Sequence, residues 1–191
     1  MLALLSLGLV DRWRPFADRP RATWLTTAGR EAAGLPGEGV KLRAGEVLRV
    51  QDRVDLALHL TAQRHEVVSG VELAAGGPPA EVRTRLRRPV DFAAVAGTAG
   101  RERPELVSVV VDPSGNEQLW LHEIHAVDRS PGEWMKVLVD YAYTAVVDGV
   151  AFWVPESMVD SSSRVVAQAN RTVGAAGMST VFTVHAWPPR G

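Results

Sequence analysis

From Gly45 onward the chain is a succession of short apolar segments, each closed by turn residues. This rhythm restricts the available folds more than any other feature of the sequence. "EVLRV", "VDLALHL", "HEVVSGVEL", "EVRTRL", "ELVSVVVD", "EQLWLHEIHAV", "WMKVLVDYAYTAVV", "VAFWV", "RVVAQANRTV" and "STVFTVHAW" follow in turn. Between them lie breaks such as "GGPP", "DPSGN", "VDG" and "GAAG", which are turn chemistry. In the longest segment Met135, Val137, Val139, Tyr141, Tyr143 and Ala145 alternate with Lys136, Asp140 and Thr144, Leu138 being the exception. A period of two indicates a strand. About nine or ten such segments at short spacing predict a mainly β protein, an antiparallel β-sandwich or barrel-like sheet.

Residues 1–43 differ in kind. They are rich in Arg, Pro and Gly, and "RATWLTTAGREAAGLPG" contains one expected short helix, about Ala22 to Ala33, stopped at Gly34. The expected organisation is an N-terminal arm over 1–43 and a β-domain over 44–191. The apolar run Leu2 to Val10 is nine residues long, whereas a membrane-spanning helix needs ~20. It is expected to pack as part of the arm, with a targeting signal as the alternative. Hydrophobic residues make up 46% of the chain and charged residues 23%. A chain of this size and composition can bury a core without staples.

Little in the sequence points to catalysis. There is no cysteine, which removes disulfides, thiolate metal sites and cysteine nucleophiles. No G-x-S-x-G elbow, P-loop or G-x-G-x-x-G occurs. "LHEIHAVD" gathers His122, Glu123, His125 and Asp128. On a strand, however, His122 and His125 point to opposite faces and cannot share a metal without a bulge. They are expected as surface histidines. His185 falls opposite Phe182 and Val184, and His59 is expected to be partly buried. Asn170-Arg171-Thr172 matches a glycosylation acceptor. No catalytic, cofactor-binding or metal-binding residue is assigned, and the protein is expected to be non-enzymatic.

The expected function is therefore structural. "VRTRLRRP" alternates Val82, Thr84 and Leu86 with Arg83, Arg85 and Arg87, which makes a cationic stripe along one strand face. Charge is uneven along the chain: residues 1–43 and 79–103 each carry a balance of +3 and residues 104–191 a balance of −5, within a net charge of −1. Such asymmetry can steer copies of a chain together. Trp13 and Trp24 lie in the basic N-terminal region, as interface anchors do. Trp13, Trp24, Arg83, Arg85 and Arg87 are the expected interface of a subunit in a larger protein assembly, such as the tail or capsid of a phage virion. Its partners would be other protein subunits in a homo- or hetero-oligomer, with no specific nucleic acid and no membrane span. Its location would be the virion or otherwise the cytoplasm.

The alternative is a β-sheet carrier of an apolar ligand, lipocalin-like or LolA-like. "VDYAYTAVVDGVAFWVPESM", with Gly149 and Pro155, resembles the strand, glycine and proline rhythm of LolA-like lipoprotein-carrier sheets. That likeness is confined to the last third of the chain and assigns no family.

Overall fold

The structure is a computed structural model. It describes residues 6–7, 10–13, 22–34, 43–69, 72, 90, 94–95, 105–124, 130–144 and 146–187. The chain divides into two compact units, residues 1–52 and 53–191.

The first unit contains a small hairpin, β1 (Val10–Trp13) antiparallel to β2 (Ala22–Leu25), with Asp11 opposite Trp24 and Trp13 opposite Ala22. A short helix follows, α1 (Thr27–Ala32). It is capped by Thr26, whose Oγ1 accepts from the Gly29 N–H at 3.1 Å, a standard way to satisfy a first-turn donor. The expected helix over 22–33 is thus a strand and then a helix. The β-branched Thr23 and the capping Thr26 account for that division. Helix α2 (Ala44–Ala62) crosses the boundary between the units.

The second unit is built on one mixed five-stranded sheet in the order β3-β4-β5-β6-β7. β3 (Glu66–Ser69), β4 (Leu106–Val111) and β5 (Glu117–Ile124) are antiparallel neighbours. β6 (Gly149–Pro155) and β7 (Val181–Trp187) continue the sheet in parallel. Parallel neighbours need long crossovers. These are supplied by α3 (Pro131–Thr144) and by α4 (Val159–Ala175), which follows a 3₁₀ turn at Glu156–Met158. "DPSGN" forms the β4–β5 hairpin: Asp112 Oδ1 accepts from the N–H groups of Ser114 and Asn116, and Gly115 takes a φ of +85°.

The mainly β expectation is therefore corrected: the protein is mixed α/β, with four helices and a single large sheet among its described elements. The segments expected as strands at "EVLRV", "VDLALHL" and "RVVAQANRTV" are helical, and so is "WMKVLVDYAYTAVV" as far as Thr144. In α3 the buried side chains are Trp134, Leu138 and Tyr141, spaced four and three apart, while Val139 and Tyr143 are exposed. Leu138, which breaks the alternation, is a residue that belongs to the helical period. The helix also starts on a capping box, with Pro131 at the first helical position. The Ser130 N–H donates to Glu133 Oε2 at 2.8 Å, and the Glu133 N–H reaches Ser130 Oγ at 3.4 Å. In α4, Ser162, Val166, Ala169 and Val173 form the buried stripe. The carrier-like rhythm fails with this correction, because its first "strand" is α3.

The sheet's two faces are cleanly sorted. One carries Val107, Val109, Leu119, Leu121, Val150, Phe152, Val154 and Phe182, packed on Trp134, Leu138 and Tyr141 of α3 and Val166, Ala169 and Val173 of α4. On the other, Leu106 and Trp153 pack with Leu56 and Leu60 of α2. Asn170 of α4 ties down the edge strand. Its Oδ1 accepts from the Phe182 N–H at 2.9 Å, and its Nδ2 donates to the Phe182 carbonyl at 2.8 Å. The amide of the glycosylation tripeptide is thus committed inside the fold.

Candidate functional site: a pocket walled by histidine and tryptophan

The α2 side of the sheet carries the candidate site. Period two sends alternate residues to this face: Gln118, Trp120 and His122 of β5, Ala151 and Trp153 of β6, and Thr183 and His185 of β7. The register places His122 beside Ala151, Ala151 beside Thr183, and Trp153 beside His185. His59 comes from the end of α2, and Gln63 and His65 from the turn after it. Together these residues line a cavity of about 700 Å³. That size suits a small-molecule site.

His65 is placed by the way α2 ends. Arg64 adopts the left-handed conformation, with φ +66°, and the His65 N–H donates back to the Leu60 carbonyl at 3.1 Å. Such a left-handed residue is a common helix stop. That closure turns the chain into β3 and holds His65 against β4. Trp120 is placed by a glycine: a Cβ on Gly149, its register neighbour, would lie 2.5 Å from the Trp120 ring. The indole lies over the one residue type that leaves it room. Its Nε1–H donates to Gln118 Oε1 at 3.2 Å.

A directed chain of hydrogen bonds runs beneath the pocket. The Trp153 indole N–H points at His122 Nδ1 at 3.1 Å. An indole nitrogen can only donate, so His122 Nδ1 is the acceptor. The His122 ring is 3% exposed, and burial, helped by His65 and His185, pushes its pKa down to about 3. Burial disfavours the charged imidazolium. The ring is neutral, so Nε2 carries the proton and donates to Ser108 Oγ at 2.8 Å. The Ser108 hydroxyl, fully buried, then donates to His65 Nδ1 at 3.0 Å. Burial and the neighbouring His59 hold His65 below its ordinary pKa as well. Neutral His65 with an accepting Nδ1 carries its proton on Nε2.

The rest of the wall is aromatic and polar. His185 stacks on Trp153 at 4.6 Å between ring centres, and His59 meets Trp153 edge-on at 5.7 Å. Thr183 Oγ1 lies 3.0 Å from His185 Nε2, and Gln63 Nε2 lies 3.0 Å from His59 Nε2. Burial and His59 lower the pKa of His185. Among the described lining residues there is no Lys or Arg, and Glu156 is the one carboxylate.

The expectation of surface histidines is corrected for His122, which is buried at the centre of the site. His185 does lie opposite Phe182, as expected. Glu123 points to the other face, where its Oε1 accepts from the Tyr141 hydroxyl, so His122 and Glu123 are parted. His125 and Asp128 lie outside the described residues, as do Arg83, Arg85 and Arg87. Trp13 and Trp24 fall on the two strands of the β1–β2 hairpin, in register with Ala22 and Asp11 respectively, and Trp24 is half-buried. Among the described residues no group of three or more His, Asp or Glu side chains is arranged to hold a metal. No helix among them is long and apolar enough to cross a membrane.

Sequence reasoning passed over His65, Ser108, Trp120, Trp153 and Thr183 as site residues. The signal was the shared alternation of "EQLWLHEI", "VAFWV" and "TVFTVHAW", which opposes an aliphatic face to one bearing Trp, His, Gln and Thr.

The fold and site define a mixed α/β unit with a pocket of histidines and indoles on one sheet face. No family model, curated protein or solved structure matches the chain.

Proposed function

We propose that this protein binds a small organic molecule, non-covalently, in the pocket between the end of α2 and the sheet. The observation that carries the reading is convergence: four histidines and two tryptophans from α2, the turn after it, β5, β6 and β7 meet around one cavity of about 700 Å³. A binding role fits better than a covalent one. The buried Ser108 is engaged by both His65 and His122, and a nucleophile needs an oxygen within reach of its substrate. Ligand-observed NMR on the full chain with a set of neutral aromatic fragments tests the reading. Fragments should bind, and Trp120→Ala should weaken them. A set without binders, or binders indifferent to Trp120, overturns it.

A second reading, assembly with further copies of this chain, is supported by α2. Val54 and Leu58 lie one above the other at four-residue spacing on one face of the helix. They are 52% and 65% exposed. The uneven charge along the sequence would assist such pairing. Sedimentation over a wide concentration range tests it: self-association that Leu58→Glu abolishes supports assembly, and a monomer throughout removes it.

A further inference from the structure

Resting on the pocket as a ligand site, we propose that its ligand is a planar heteroaromatic molecule, uncharged when bound, whose ring nitrogen or carbonyl oxygen accepts a hydrogen bond from Nε2–H of His65. Three observations support the assignment. The first is the directed chain. Trp153, His122 and Ser108 occupy Nδ1 of His65 as an acceptor, so the remaining nitrogen of this pocket-lining residue is left as a donor. Proton positions along that chain are set at neutral pH, because its first member can only donate and its second is buried and neutral. A site whose donor is set in advance discriminates strongly against molecules lacking the matching acceptor.

The second is charge. The described lining holds neither Lys nor Arg, and Glu156 adds a negative charge. His65, His122 and His185 are all held toward their neutral forms, chiefly by burial. An anionic ligand would find no permanent cation among these residues. A ligand that carries its own proton would compete with the set donor of His65.

The third is shape. Trp120, laid over Gly149, supplies an indole of fixed position, and Trp153 with its stacked His185 supplies a second aromatic wall. Flat rings gain most from such surfaces.

The test compares isoquinoline with naphthalene, two flat bicyclic probes of nearly equal size of which only the first has an acceptor nitrogen. Affinities for the full chain are measured by tryptophan fluorescence at about pH 8, above the histidine range. Isoquinoline is expected to bind about 10-fold more tightly, toward the upper end of what one matched hydrogen bond contributes. His65→Phe should bring the ratio close to one, and Ser108→Ala, which keeps the imidazole but frees its tautomer, should lower it. Long-range ¹H–¹⁵N spectra of the unmodified chain should show the His65 proton on Nε2 whether or not a variant folds. Equal affinities, a preference that survives His65→Phe, or a proton on Nδ1 overturns the assignment while leaving the pocket a binding site. Binding of neither probe overturns the ligand reading itself.

Discussion

Trp153 on β6 donates its indole N–H to Nδ1 of His122 on the neighbouring strand β5, at 3.1 Å, with both side chains buried. One donor-only group thereby sets the proton positions of two histidines. Trp153→Phe retains an aromatic wall but leaves His122 Nδ1 buried and unpaired. It should cost about 1–3 kcal/mol of stability, the usual penalty for a buried polar atom without its partner. Urea unfolding measures the loss, and ¹⁵N shifts should show His122 no longer held in one tautomer.

Stability should fall on mild acidification. The folded-state pKa of His122, about 3, lies below the ordinary value of 6.5. Between these two values the unfolded chain binds the extra proton, so stability rises with pH. The contribution is complete above the unfolded pKa and declines as pH drops toward the folded one. From about pH 7.5 to about pH 5.5, His122 alone should remove about 1.4 kcal/mol. His65 and His185, also lowered, act in the same direction. Urea midpoints at the two pH values check this, and His122→Gln should flatten the difference.

Gly149 should not tolerate a methyl group. A Cβ there would sit 2.5 Å from the Trp120 ring, so Gly149→Ala must displace the indole or bend β6. A cost of about 1–3 kcal/mol is expected, as for overpacking elsewhere. The Trp120 indole resonance should move while that of Trp134, on the sheet's other side, stays in place.

Asn170 should prove structural. Asn170→Ala removes both side-chain partners of the Phe182 backbone and opens an edge strand to stray pairing. Stability should fall by about 1–3 kcal/mol. Asn170→Asp, which cannot donate to the Phe182 carbonyl, should recover part of the loss at most. Chemical unfolding of the two variants gives the comparison.

The strands of the sheet were legible because each is short, apolar on one face and closed by turn residues. β4, β5, β6 and β7 fall where alternation puts them, and "DPSGN" makes the expected hairpin. The helices were masked by their composition. α3 is filled with Val and Tyr that mimic a strand period, and its true signals were Leu138 and the Ser130–Glu133 box. In α4 the apolar stripe uses small residues, Ser162 and Ala169, which carry little weight in a hydropathy pattern. For the site, the sequence pointed to His122 but not to its partners. Ser108 lies 14 residues before His122, and His65 lies a further 43 residues before Ser108. Only sheet pairing and the turn at Arg64 bring the three together.

The most direct measurement follows the indole N–H signals of the full chain during titration with isoquinoline. The signals of Trp120 and Trp153, which line the pocket, should shift together and saturate. Trp134, on α3 and buried against the opposite face of the sheet, should not move. Saturable shifts confined to tryptophans outside the pocket, or no shift at any concentration, would contradict the account.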